Sequence, residues 1–216
     1  MAIPYSGNSL VMNREINIKV KSISDKMKAN KTLLALGLIA TGVISRIWLR
    51  GLLPAAPHFY LHFGNASYPI FMIDMFFVVA ALSLIAGRYL GRYGILVPLS
   101  IMAISDIYFG GGAILLFTWT GFAMMALIGY ASKNKSFSTY FGYGILSVIA
   151  YDIWTNFGSW LGWYPHTIDG FILCYTVAIP FMLWHLLSTI IALPLASLPF
   201  EYAKEHAMEE AMTEAM

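Results

Sequence analysis

Long apolar stretches restrict this chain more than any motif does. They lie near residues 32–49, 69–89, 94–109, 113–131, 139–160 and 170–196. A hydrocarbon core about 30 Å thick needs roughly 20 apolar residues of helix to cross it. Only helices and closed barrels satisfy their backbone polar groups in lipid. The stretches are continuous rather than strictly alternating, which reads as helix. The expected fold is an all-α integral membrane protein with six transmembrane helices. The third stretch is short and ends at Gly110-Gly111-Gly112.

The rest of the composition agrees with that fold. Only 11% of the 216 residues are charged, whereas a soluble domain carries about 25%. A soluble fold would lack the polar groups to coat its surface. The first apolar stretch reads as a retained helix, because its basic leader is long and "ATGVISRIW" offers no small-residue cleavage site. A single cysteine, Cys174, excludes an internal disulfide and any multi-cysteine metal site.

Lysine and arginine set the expected orientation. The leader holds Arg14, Lys19, Lys21, Lys26, Lys28 and Lys31, and three alternate connections or ends hold Arg88 and Arg92, Lys133 and Lys135, and Lys204. Those positions account for eleven of the thirteen basic residues. The opposite side keeps only Arg46 and Arg50. Both termini are therefore expected to be cytoplasmic, in a multi-pass protein of the plasma membrane.

Three regions follow. Residues 1–31 form a basic leader in which Ile16, Ile18, Val20, Ile23 and Met27 are interspersed. It reads either as an amphipathic helix on an anionic leaflet or as a solvated flank that only fixes topology. Residues 32–196 form the helix bundle. Residues 197–216 form an acidic cytoplasmic tail rich in helix formers, expected to make a short helix of its own.

Charged side chains inside apolar stretches are costly and usually face the bundle interior. Arg46, Asp74, Asp106 and Asp152 are such residues. Each lies on the outer side of its stretch's midpoint, by about 4 to 8 Å at 1.5 Å per residue. Four stretches thus place an ionisable group in one outer layer. The fifth adds Thr155, Asn156 and Ser159, which share one helical stripe with Asp152. Trp119 and Trp154 lie deep enough to line a pocket or simply to fill core. The polar groups have two readings, a ligand site or hydrogen-bonded glue between helices. The candidate ligand-binding residues are Arg46, Asp74, Asp106, Trp119, Asp152, Thr155, Asn156 and Ser159.

Weaker signals surround this layer. Trp160, Trp163 and Tyr164 suit an aromatic belt at the membrane interface. His58 and His62 are four apart, but two histidines without a third ligand are poor evidence for a metal. His185 sits in mid-span and reads as a hydrogen-bonded packing residue in preference to a proton relay. Pro180 should kink its helix. Gly37, Thr41 and Ser45 form a small-residue ridge, as do Ser83, Gly87 and Gly91, and such ridges permit close helix contact. P-loop, nucleophile–base, HExxH, haem and iron–sulfur signatures do not occur in the sequence. The chain is expected to be no enzyme and to hold no metal or cofactor. No nucleic-acid partner is expected.

The segments "LSLIAGRYLGRYGILVPLSIMAISDIYFG" and "TNFGSWLGWYPHTIDGFILCYTVAIPFML", with the six-span layout, resemble an uncharacterised family of small prokaryotic membrane proteins. That family in turn resembles the S components of energy-coupling-factor (ECF) vitamin transporters. The similarity covers residues 70–195 and is most specific at Ser105-Asp106 and at Thr155-Asn156-Phe157-Gly158. The first stretch and its outer loop match less well. The resemblance implies a substrate-binding subunit with an outward-opening pocket for a small organic or vitamin-like solute. It also implies association with a coupling membrane subunit and two ATPases. The rival expectation is a structural or accessory subunit of a larger membrane complex, with the lipid bilayer and other subunits as partners.

Overall fold

The computed structural model describes residues 30–53, 59–63, 66–71, 74–110 and 112–214, without side chains for the two strands, for residues 204 and 205, and for 207–214. The leader before residue 30 and the side chains of His58 and His62 lie outside the described residues. Helix α1 spans residues 30–47 and runs into a short 3-10 turn, Leu49–Leu52. A hairpin of β1 (Phe59–Phe63) and β2 (Ala66–Phe71) follows. Then come α2 (Phe76–Leu90), a 3-10 turn (Gly91–Ile95), α3 (Leu96–Phe109), α4 (Ile114–Ala131), α5 (Phe137–Trp163) and α6 (Ile168–Glu214).

Four helical segments are long and apolar enough to cross a membrane: Asn30–Leu52, Phe76–Phe109, Ile114–Ala131 and Ile168–Ala203. The second contains both α2 and α3. Helix α5, interrupted by Ser147, Asp152, Thr155, Asn156 and Ser159, is not among them. The exposure pattern is that of a membrane protein. Ile107 is 86% exposed and Leu116 65%, while Ser105, Ser147 and Thr189 are fully buried. A water-soluble protein rarely leaves so many large apolar side chains outside around a core holding so many polar ones.

Helix α2 is the hub. Val79, Ala80, Leu84, Ile85 and Ala86 are buried on it, and it packs on α3, α4 and α6. Its approach to α4 depends on two glycines. A Cβ on Gly87 would stand 1.9 Å from the Ala126 carbonyl oxygen, and one on Gly129 would stand 2.4 Å from that of Leu84. The expected ridge at Ser83, Gly87 and Gly91 is therefore a real contact surface at Gly87. Gly91 does a different job: its φ of 74° ends α2 and starts the turn into α3. On α1 the contact falls beside the expected ridge. Gly42 meets Ile101 of α3, whereas nothing approaches within 4 Å of Gly37.

The fold is all-α as expected, with one hairpin added, in which β1 and β2 pair antiparallel from Phe59↔Phe71 to Phe63↔Ala66. Two expectations need correction. The apolar run at 69–75 is thus divided between strand and helix start, and the helix begins at Phe76. Pro69, which offers no backbone donor, lies in β2 opposite Tyr60. Asp74 therefore precedes α2, where its carboxylate accepts the backbone N–H of Phe76 at 2.9 Å. That contact is favourable at a helix N-terminus. Finally, the tail is no separate helix. Helix α6 runs for 47 residues through Pro180, Pro194 and Pro199, about 70 Å at 1.5 Å per residue. It projects well beyond its apolar part.

Candidate functional site

The candidate site sits at the end of the bundle where α1 and α3 finish and α2, α4 and α6 begin. Arg46 lies in the last turn of α1 and Asp106 in the last turn of α3. The pairing of these helices at Gly42 and Ile101 aligns the two side chains. The Arg46 guanidinium donates to Asp106 Oδ1 at 2.9 Å and to the Ser105 hydroxyl. Asp106 Oδ2 accepts the Trp119 indole N–H from α4 at 2.7 Å. Three helices are thus tied through one carboxylate, itself 95% buried (5% exposed).

A second cluster lies across the same space. His185 of α6 places Nδ1 2.5 Å from Asp152 Oδ1 of α5 and Nε2 3.1 Å from Asp74 Oδ2. Its ring stacks on Phe76, with centroids 3.9 Å apart and planes 24° from parallel. Trp184, the residue before, donates its indole N–H to Asp74 Oδ1 at 3.2 Å. Phe76, Tyr151 and Phe122 pack on one another beside the imidazole.

Between the two clusters is a cavity of about 630 Å³. Arg46, Arg50, Asp74, Asp106 and His185 supply its polar wall, and Phe76, Met102, Phe109, Phe122 and Tyr151 are among its apolar walls. Arg50 lies over the Phe109 ring, 4.8 Å from its centroid. A concavity of this size, with aromatic walls and convergent polar groups, has the make-up of a small-molecule site, and its polar share is high.

The expected residues divide cleanly. Arg46, Asp74 and Asp106 line the cavity, Trp119 stands behind Asp106, and Asp152 stands behind His185. Thr155, Asn156 and Ser159 do not reach it. Thr155 donates to the Tyr151 carbonyl, Asn156 to that of Asp152 and Ser159 to that of Thr155. Their shared stripe is satisfied by its own helix, one turn back in each case, so the spacing marks local bonding. Trp154 turns outward to Thr120, Phe117 and Phe157. The aromatic stretch after α5 folds on itself, with the Trp160 indole donating to the Pro165 carbonyl at 3.1 Å.

His185 is the residue that sequence reasoning undervalued. It is indeed buried and hydrogen-bonded, but to two carboxylates from separate elements. Its mid-span position in the stretch that follows Asp152 was the available signal. Phe76, Phe122 and Tyr151 carried no signal of their own, since aromatic residues abound along the chain, and Arg50 stood out only as one of two basic residues on its side. Among the described residues, no group of three or more His, Cys, Asp or Glu side chains is arranged to hold a metal ion.

No curated protein and no solved structure matches this chain. A family model does match, over residues 26–211, which takes in the described helices up to the last residues of α6 and every residue that lines the cavity. The chain belongs to that family, a family of unknown function (DUF6580).

Proposed function

We propose that the chain is a six-span membrane protein with both termini in the cytoplasm, and that the cavity opens outward to bind a small organic or vitamin-like solute in the manner of an S component. The observation that carries this reading is the cavity of about 630 Å³ walled by Arg46, Asp74, Asp106 and His185. Ionised groups at such depth are retained at a cost, and here they face an open space beside aromatic walls. The distribution of basic residues supports the orientation, with Arg88, Lys133 and Lys135 at the far end of the bundle from Arg46 and Arg50. On the same reading, the resemblance to S components supplies the partners, a coupling membrane subunit and two ATPases.

One observation favours the rival reading. Arg46 and Asp106 are already bonded to each other, as glue between subunit helices would be. Purification in a mild detergent followed by native mass spectrometry distinguishes the two. A co-purifying small molecule supports solute binding. A stable assembly whose partner fills the cavity overturns it in favour of an accessory subunit. A thermal-shift screen of vitamins, amines and nucleosides on the purified protein should find a stabiliser, because a ligand bound to the folded state stabilises it by mass action.

The orientation is tested separately. Single cysteines replacing Tyr5, His166 and Met212 in a Cys174→Ala background are probed on intact cells with an impermeant thiol reagent. Labelling at 166 alone is expected. Labelling at either terminus would reverse the topology.

A further inference from the structure

Asp74, His185 and Asp152 run in a line from the cavity into the bundle. The side chain of Asp74 is 45% exposed, that of His185 10% and that of Asp152 2%. An ionised carboxylate only accepts hydrogen bonds, and an imidazole donates from both nitrogens only as the cation. The contacts at 3.1 and 2.5 Å are both satisfied when an imidazolium sits between two carboxylates. The triad then holds one negative charge in excess.

Among the described residues no lysine or arginine is bonded to the triad, and the cation that balances the cavity wall as a whole, Arg50, belongs to another part of that wall. From α5, Tyr151 stands beside Asp152 and its ring meets His185 edge-on. Across the cavity, Arg46 of α1 is bonded to Asp106 of α3, which also takes the Trp119 N–H from α4. Arg50 lies over Phe109. Among the described residues, buried Asp152 Oδ2 finds no hydrogen-bond partner, and neither does Thr189 Oγ1, one turn along α6 from His185. An uncompensated carboxylate in a low-dielectric interior favours any cation that can reach it. The cavity reaches it only at Asp74.

We infer that the triad is a proton site coupled to the cavity, and that the solute carries a cationic group of the ammonium class which seats on Asp74 as His185 gives up one proton. The inference rests on the solute-binding reading of the same cavity and adds the charge class of the solute. The balance is one cation in and one proton out. The ammonium N–H donates to Asp74 and to the bared Nε2 of His185. The released proton leaves to solvent through the cavity. Asp152 retains the hydrogen bond from Nδ1, so the deepest carboxylate never faces the cavity unpaired.

The experiment reads the imidazole directly in full-length protein in lipid nanodiscs, with ¹⁵N-labelled histidine. The His185 resonance is assigned by its loss in His185→Gln or, if that variant does not fold, by its selective shift in Asp152→Asn. At neutral pH without added amine, an imidazolium signal is expected. Methylammonium should convert it to a neutral imidazole and release up to one proton per protein into a weakly buffered solution. Acetamide, and sodium chloride at matched ionic strength, should do neither. Asp74→Asn should raise the methylammonium concentration required at least tenfold. A neutral ring before any amine is added would overturn the inference, as would a charged ring that saturating methylammonium leaves unchanged, or an equal response to sodium chloride. A neutral or anionic molecule found bound in the native preparation, with His185 unresponsive, would remove the inference and leave solute binding standing. A partner subunit filling the cavity would remove both.

Discussion

The two ends of the bundle use the same chemistry to opposite effect. At the end opposite the cavity, Arg88 is 1% exposed and every nitrogen of its guanidinium is engaged. It donates to Glu201 at 2.6 Å, to the Ser132 carbonyl at 2.5 Å and to the Lys135 carbonyl at 3.1 Å. The Tyr140 ring packs under it at 4.5 Å, and the Tyr89 hydroxyl donates to the same Glu201 oxygen. One cation thus pins α2, α6 and the turn between α4 and α5. Each of its three nitrogens thus has an acceptor. At the cavity end the ion pairs span 2.5 to 3.1 Å, Asp74 is nearly half exposed, and one oxygen of Asp152 is unmatched among the described residues. Saturation marks a group that holds helices together, and leftover bonding capacity beside a cavity marks one that can answer to a ligand.

The comparison is sharpest at Arg88. Arg88→Ala takes the cationic partner from the mostly buried Glu201, and removing one partner of a buried pair costs about 3–5 kcal/mol. Reversible denaturation in mixed micelles should show a loss of that size, and Arg88→Lys should recover little of it, since an ammonium cannot reproduce the planar fork. Replacing both partners together, with Met at 88 and Leu at 201, should restore most of the stability. A mild phenotype for Arg88→Ala would show that this end is not saturated after all.

Gly87→Ala comes next. Its methyl would collide with the backbone of α4, not with a flexible side chain, and overpacking of this kind costs about 1–3 kcal/mol. Gly37→Ala, with open space around it, is the matched control and should leave the denaturation midpoint in place.

At the cavity end the order of effects reverses between stability and binding. Asp106→Asn keeps an acceptor for Trp119 and loses the ionic bond to Arg46, which is 21% exposed and can hydrate. It should destabilise by about 1–2 kcal/mol and abolish the thermal shift given by whichever solute the screen identifies. The smallest effect belongs to Asn156→Leu. That side chain bonds only its own helix backbone, so stability should move by no more than about 0.5–1 kcal/mol, and the solute-induced shift should survive. Loss of that shift in Asn156→Leu would return the whole Asp152–Ser159 stripe to the site.

Much of this was legible in the sequence. Apolar length located the helices within a few residues, except at the start of α2 and the end of α6, because lipid leaves a backbone few alternatives. Arg46, Asp106 and Asp152 stood out because charge in an apolar run needs a reason, and all three face inward. The stripe at Thr155, Asn156 and Ser159 misled for a physical reason. Ser, Thr and Asn in a helix satisfy themselves on the carbonyl one turn back, and periodicity alone cannot distinguish that from a face aimed at a ligand. Asp74 misled in another way. The apolar run around it is shared by a strand and a helix, so its carboxylate caps α2 rather than sitting inside it.

The sequence by itself determined the solvent this protein folds in, the positions of its helices and the handful of charges that must be buried among them. These follow from local composition and from the cost of placing polar groups in hydrocarbon. Which charge meets which was decided only in three dimensions. Arg46 pairs with Asp106 because Gly42 lets α1 lie against Ile101 of α3. His185 joins Asp74 to Asp152 because α6 passes between α5 and the start of α2 with its imidazole stacked on Phe76. Partners 33 and 111 residues apart along the chain have no periodicity to connect them, and only the packing of the helices brings their atoms within reach.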